Sequence, residues 1–444
     1  MKKTLKLIFS RFTVVAIAII LQVMLWIFIP VIVNNRYPNA LISINFIIAI
    51  LDLLLIIWII NSDMKIECQL PLIILCILAP ALGVVFCALF VRVKIPKKIK
   101  RYFAQTIQQT KIANTTEQKY YENLKEKLGG YYNQFNYLNN TANFKSYENT
   151  NVVFFDDGKK FFDDLLIELN KAEKFIFMEY FIIEKGEIWN SIHEVLKAKV
   201  KDGIKVRLMY DDLGTISRLP SNFYKKLRNE GIECVKFNEY SQFASALYNN
   251  RDHRKITVID GKVGYMGRIN IADEYANINC SYGLWKDSAV KLVGDGVNGL
   301  TCILLQLYGI QTGNIENYSD YFVKNNEKAQ GIVCPFGDGP KYFYGEHIGE
   351  NLYINLISQA KKTIFITTPY LIIDNEVVTA LILAAKRGVD VKIITPGIPD
   401  KKMIFLVTQS YYPQLVEGGV QIFQYRPGFV HAKCAVCDDK VATV

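Results

Sequence analysis

Histidine is scarce in this 444-residue chain, which has four, and cysteine is present as nine scattered residues. The odd cysteine count and the lack of a regular spacing exclude a disulfide framework and fit reduced thiols. Cys434-x-x-Cys437 is a lone pair without a second pair to complete a zinc site, so it reads as strand packing. Charge is missing altogether from two long stretches, Phe12 to Val33 and Leu70 to Val91. Each is long enough to cross a hydrocarbon core of about 30 Å as a helix. The first is too apolar over too great a length, and lacks the small-residue cleavage site, for a signal peptide. A third stretch, Leu41 to Ile60, is interrupted only by Asp52. Its Leu and Ile residues favour insertion by roughly 0.3 to 0.6 kcal/mol each, which outweighs about 3 kcal/mol for one central carboxylate. Asp52 reads as a partner for a neighbouring helix rather than as a functional site. Residues 1–92 are therefore expected to form a membrane region with two to three transmembrane helices.

Basic residues flank these runs: Lys2, Lys3, Lys6 and Arg11 before the first, and Arg92, Lys94, Lys97, Lys98, Lys100 and Arg101 after the third. Three full crossings would put the two clusters on opposite faces, against the tendency of both to stay in the cytoplasm. A re-entrant run would remove the conflict. The larger second cluster predicts a cytoplasmic soluble part in a multi-pass protein of the cell membrane. The net charge of +10 suits anionic headgroups beside a membrane better than nucleic acid.

Residues 93–150 are polar and read as a linker: a helix from Tyr102 to Leu128, a break at Gly129-Gly130, then an Asn-rich loop. Beyond it, apolar strands alternate with amphipathic helices. Phe161 to Leu169 and Ile188 to Val200 are predicted helices, and Phe175 to Ile183 and Val206 to Tyr210 predicted buried strands. The fold class is α/β. The same order recurs 185 to 190 residues on: Ala172-Glu-Lys-Phe-Ile-Phe with Ala360-Lys-Lys-Thr-Ile-Phe, Tyr180-Phe-Ile-Ile with Tyr370-Leu-Ile-Ile, Gly231-Ile-Glu-Cys with Gly419-Val-Gln-Ile. The soluble part is thus a duplicated unit, with lobes expected over 151–325 and 326–444.

Two of the four histidines hold equivalent places in the repeats, His253-x-Lys255-x4-Asp260 and His431-x-Lys433-x4-Asp438, the first after an insertion of about ten residues. Both motifs read as strands, and alternation puts His and Lys on one face. A neutral imidazole can attack phosphorus to form a covalent intermediate. A second, protonated one can deliver a proton to the departing alcohol, while lysines neutralise the phosphoryl oxygens. This chemistry needs no cofactor or metal, and the carboxylates show no metal-ligand spacing. His193 and His347, in a helix and a loop, read as structural, and Tyr180 and Tyr370 as core residues.

The paired motifs resemble the phospholipase D superfamily. MEYFIIEKGEIWNSI, RLMYDDLGT, NNRDHRKITVIDG, NIADEY, TTPYLIIDNE and PGFVHAK resemble bacterial cardiolipin synthases within it. The resemblance implies two duplicated α/β/α lobes sharing one active site, preceded by N-terminal transmembrane helices. It implies His253 as nucleophile, His431 as general acid/base and Lys255 and Lys433 as phosphate clamps. Asp260 and Asp438 would support the motif strands, Asn270 would line the phosphate site, and Asp287 would orient His253. The implied reaction joins two phosphatidylglycerol molecules into cardiolipin and releases glycerol. Hydrolysis by the same histidines and a catalytically inactive membrane scaffold are the alternatives.

Two features depart from the family. Arg268 stands where a second small residue follows Gly267. Six residues separate Asp260 from Gly267, and Asp439 to Val444 are the corresponding six after Asp438. A second Gly-x-x-Asn segment, a carboxylate for His431 and closing strands would then be lacking. The 444-residue form is expected to be poorly active; normal cardiolipin synthesis by the chain ending at Val444 would contradict this.

Overall fold

The computed structural model describes residues 11–28, 31, 38–91, 95–115, 118–239, 250–324, 329–339 and 341–444. The insertion at 240–249, Lys2, Lys3, Lys6, Arg92 and Lys94 lie outside them. The chain divides into two compact units, residues 1–96 with 239–250, and residues 97–238 with 251–444.

In the first unit, one helix, Pro38–Ile60, is long and apolar enough among the described residues to cross a membrane. The Leu70 to Val91 run differs from the expected single helix. It breaks at Ala79 (φ −148°, ψ 77°) into Ile66–Leu78 and Pro80–Phe86. Pro80 has no N–H to continue the first helix and starts the second instead. The two pieces fold back closely enough that a Cβ on Gly83 would lie 2.7 Å from Cys76 Cα. Arg11–Val23 joins this hairpin through buried Gln22, whose Oε1 accepts the Ala81 N–H at 2.9 Å. Asp52 makes no hydrogen bond or ion pair among the described residues, contrary to the expected helix pairing.

The second unit is layered because its central strands are apolar on both sides. In the first lobe β1 is Thr150–Phe155, β2 Phe175–Tyr180, β3 Lys205–Asp211, β4 Glu233–Phe237, β5 Lys255–Ile259, β6 Val263–Gly267, β7 Leu284–Lys286 and β8 Ala289–Gly294. On β2, Ile176, Met178 and Tyr180 pack towards helices Gly158–Asn170 and Glu187–Lys201, and Phe175 and Phe177 towards helix Val297–Thr312. All six β2 residues are buried, each large apolar side chain contributing about 1.5 to 3 kcal/mol. The predicted helices and strands of this lobe are found within a few residues of their expected ends.

The second lobe continues with β9 Thr363–Thr367, β10 Asp390–Pro396, β11 Gln421–Tyr425, β12 Gly428–Val430, β13 Cys434–Cys437 and β14 Val441–Thr443. The strand orders are β1-β8-β6-β5-β2-β3-β4 and β11-β10-β9-β13-β14. Read from β4 and from β11 inward, the two sheets match over five strands. β12 leaves its own lobe and pairs in parallel with β7 of the other.

Residues 93–150 differ from a polar linker. They form helices Lys97–Ala113, Gln118–Leu128 and Tyr132–Ala142, the last in place of the expected Asn-rich loop. Leu138 and Ala142, four apart, bury one face of that helix against the Val297–Thr312 layer. Tyr131 donates its hydroxyl to Asp438 of the second lobe at 2.9 Å.

At Gly428 the two lobes touch backbone to backbone: an added Cβ would lie 2.3 Å from Leu284 O and 2.4 Å from Leu284 N. Gly428→Ala should force β12 off β7 and lower stability by about 1 to 3 kcal/mol. Denaturant unfolding of the variant checks this; an unchanged midpoint would show that the strands are not held there.

Candidate active site

Both motifs fold as a strand with a staple at its far end. After β5 the chain turns at Asp260 in the left-handed region (φ 55°), and after β13 at Asp438 (φ 54°). The Asp260 carboxylate accepts the N–H groups of Glu173, Lys174 and Phe175 at 2.7–2.8 Å, where β2 begins. Asp438 repeats this with Lys361, Lys362 and Thr363 at 2.7–2.9 Å before β9. Partial burial opposes the Asp438 anion, but these donors and Tyr131 hold its pKa down to about 2. Neither aspartate reaches the histidines. Each lies at the opposite end of a strand that rises about 3.3 Å per residue.

At the other end the histidines and lysines gather. His431 N donates to Lys286 O at 2.7 Å, continuing the β7–β12 pairing and carrying the second motif onto the first lobe. His431 Nδ1 then meets Asp287 Oδ2 at 2.7 Å. This corrects the expectation that Asp287 orients His253. It also corrects the expected lack of a carboxylate for His431, which is supplied across the lobe boundary. The cause is register: Asp287 follows β7 directly, and β7 pairs with the strand that leads into His431. Asp287 also accepts the Ser288 N–H at 2.9 Å and lies 3.4 Å from Trp285 Nε1.

His253 lines the open side of the cleft against Phe181, ring centroids 4.7 Å apart. Lys255 Nζ lies 3.1 Å from its Nδ1 and donates to its carbonyl. Lys433 Nζ donates to His431 O at 2.7 Å, the equivalent contact. Asn270 is fully buried: its Oδ1 accepts the Ile182 N–H at 2.9 Å and its Nδ2 donates to Tyr275 Oη at 2.6 Å. Asn270 therefore stands behind Tyr275, whose ring meets His431 edge-on at 5.6 Å.

The electrostatics are those of crowded cations. Burial, then Lys255, Lys433 and Arg268, push the His253 imidazolium down to about 2. The ring itself is well exposed, so repulsion by the lysines is the firmer cause. Burial also lowers His431, to about 4; Asp287 pulls the other way, and Lys433 adds to the fall. Burial and like charge lower Lys433 to about 7 and Lys255 well below its usual range. Burial alone would raise Asp287, but His431 and Lys433 hold it ionised. At neutral pH both imidazoles are neutral, and Asp287 is the ionised carboxylate bonded to the site's histidines.

The sequence reading missed the aromatic wall of Tyr275, Trp285 and Phe429 around His431. Tyr275 lies within the quoted NIADEY and Phe429 within PGFVHAK, but aromatic residues in strands read first as core. Of the two cysteines in Cys434-x-x-Cys437, Cys437 enters the second lobe's core and Cys434 Sγ sits 3.0 Å from Ser288 Oγ of the first. An i, i+3 spacing on a strand sends them to opposite faces. His193 bonds Glu230 at 2.6 Å and stacks on Trp189, and His347 stands at the start of helix Ile348–Gln359. Among the described residues no three His, Cys, Asp or Glu side chains converge as a metal-ligand set.

Two lobes of one repeat, each placing a His-x-Lys pair at a common cleft, define a phospholipase D-like protein. The family model described as "Cardiolipin synthase, PLD-like domain" matches residues 165–293 and 353–444. A protein of Streptococcus mutans described as uncharacterized is 40% identical over 391 residues, 88% of this chain and 84% of that one. A cardiolipin synthase of Alkalihalophilus pseudofirmus is 36% identical over 65% of this chain; the match spans 57% of that enzyme's length. The solved phosphatidylserine synthase of Haemophilus influenzae overlays with a TM-score of 0.48 at 15% identity, over 69% of this chain and 80% of that one. The chain belongs to the cardiolipin synthase family of the phospholipase D superfamily.

A bound anion should restore charge to the depressed lysines, so phosphate binding at pH 8 should take up protons. Titration calorimetry in buffers of different ionisation enthalpy reads this; proton release would contradict the cluster described. With folded values below the unfolded ones, about 7 against 10.5 for Lys433 and about 4 against 6.5 for His431, the unfolded chain binds more protons. The ligand-free protein should therefore lose stability as pH falls from 10.5 to 7, and again from 6.5 to 4. Asp260→Ala, which strands three N–H groups, should cost about 3 kcal/mol in denaturant unfolding.

Proposed function

We propose that this chain is a phosphatidyltransferase that joins two phosphatidylglycerol molecules into cardiolipin with release of glycerol. The observation that carries the reading is the pairing of two histidines of unequal proton affinity at one cationic cleft. His253, ringed by cations and without a carboxylate partner among the described residues, stays neutral and is the nucleophile. It attacks the phosphorus of the donor lipid, and the bond to the glycerol oxygen breaks. His431, backed by Asp287, holds a proton more readily and gives it to the leaving glycerol. The anionic donor itself supplies the charge that lets His431 take up that proton. In the second half His431 removes the proton of the incoming alcohol, which displaces His253 and restores both residues. Lys255 and Lys433 neutralise the phosphoryl oxygens throughout. Asn270 acts by fixing Tyr275 against His431, and Asp260 and Asp438 by fixing the motif strands.

The substrates place the protein in the cell membrane. Pro38–Ile60 supports one crossing, and the folded-back Ile66–Leu78 and Pro80–Phe86 support a re-entrant third run. With the first run as a second crossing, both basic clusters and the catalytic part lie on the cytoplasmic face. The domain reading of two lobes, 151–325 and 326–444, is supported by their matching strand orders.

Incubation of the full chain with labelled phosphatidylglycerol in mixed micelles is the test. Labelled cardiolipin is the expected product. Phosphatidic acid in its place would mean hydrolysis, and neither would mean an inactive protein. His253→Ala should abolish the covalently labelled intermediate, and His431→Ala should slow turnover about 10²- to 10⁴-fold.

A further inference from the structure

Arg268 occupies the site with its side chain unpaired among the described residues. β6 ends at Gly267, and the Arg268 N–H donates to Ser288 O at 3.0 Å. Ser288 follows Asp287, and its Oγ lies 3.0 Å from Cys434 Sγ, one residue from Lys433. On the other side, the β5–β6 register of Ile256 opposite Met266 sets Gly267 across from Lys255. Arg268 thus emerges past the end of β6, between Lys255 of one motif and the Asp287-Ser288 segment that touches the other. Its half-buried guanidinium makes no hydrogen bond or ion pair among the described residues. Arg207 and Arg218, by contrast, are each paired with two carboxylates. Asp287, the carboxylate beside it, is taken up by His431 and the Ser288 N–H.

Charge decides what this arrangement suits. Lys255, Lys433 and Arg268 share Asp287; Asp252 also acts on Lys255 and Asp400 on Lys433, but these two carboxylates have cations of their own in Arg254 and Lys401. Arg268 contributes to depressing both lysines and His253. A phosphodiester carries one negative charge, which leaves one of these cations unmatched. A residue that merely narrowed the cleft would need no charge there, and a charge placed among like charges is unfavourable until an anion joins it. We propose that Arg268 is a specificity-determining residue that binds the phosphate of the accepting lipid, so that this cleft holds two phosphate groups at once.

The inference rests on the transferase reading. In the second half-reaction the acceptor's hydroxyl oxygen bonds to the phosphorus held on His253. The phosphorus–nitrogen bond breaks with its electron pair returning to the imidazole, and the hydroxyl proton passes to His431. The acceptor's own phosphate stays on Arg268 and holds that hydroxyl in line.

Two measurements on the full chain in micelles test it. Calorimetric titration with inorganic phosphate should show two equivalents bound at the site in the unmodified protein and one in Arg268→Gln. Equal numbers would overturn the proposal. With phosphatidylglycerol as donor and glycerol competing against glycerophosphoglycerol as acceptors, Arg268→Gln should shift the product ratio towards glycerol about ten-fold, the size of one charge-assisted contact. Arg268→Lys should shift it less. An unchanged ratio, or equal acceleration of both acceptors, as a simple obstruction would give, also overturns it. Should the unmodified protein phosphatidylate neither acceptor while the phosphate count still falls from two to one, the transferase reading fails and the Arg268 site stands.

Discussion

The hydrogen bond between His431 and Asp287 is the contact on which the site depends. It joins a side chain of the second lobe to one of the first, and it forms because β12 abandons its own sheet to pair with β7. Without that pairing each lobe would hold half a site: His431 with no carboxylate in one, and in the other the buried Asp287 with no histidine bonded to it. A carboxylate as buried as Asp287 is costly unless a hydrogen-bonding partner faces it. The same bond that orients His431, the proposed general acid, therefore helps hold the lobes together. Function and assembly are coupled through one pair of atoms.

The surrounding cations follow from what the cleft must accept. Lysines on two motif strands and Arg268 converge where water is partly excluded, and their mutual repulsion drives the lysines towards neutrality. Such a cluster is poor at stabilising a fold and well suited to receiving an anion, because the ligand supplies the missing charge. It also lets two imidazoles that are neutral at rest serve the proposed acid–base cycle. In the proposed mechanism, protonation of His431 is deferred until a phosphate is present, so the acid would be armed by its own substrate.

What the sequence made legible was local or repeated. Short, nearly continuous apolar runs located β2 and β3, and matched segments such as Tyr180-Phe-Ile-Ile and Tyr370-Leu-Ile-Ile revealed the duplication before any strand order was known. What escaped was non-local. The resemblance assigned Asp287 to His253, the wrong histidine; only the register between β7 and β12 gives its partner. The helix Tyr132–Ala142 escaped because asparagines mask the spacing of Leu138 and Ala142, which tertiary packing rewards over propensity. The Leu70 to Val91 run escaped because hydropathy sums apolar residues and takes no account of where Pro80 breaks the backbone.

The seven-residue reach of the motif has a physical reading of its own. His and Lys stand at the cleft end of a strand and Asp at its opposite end, where a left-handed turn lets the carboxylate collect three successive N–H groups at the start of the neighbouring strand. Those N–H groups have no sheet partner at that edge, so the carboxylate satisfies donors that would otherwise be stranded. Fixing the far end fixes the register of β5 against β2, and a slip of one residue would turn His253 and Lys255 to the other face of the sheet. The aspartate thus acts on the chemistry without approaching it. Its recurrence at Asp438, down to the same left-handed turn and the same three donors, means that both halves of the site are positioned by one device used twice.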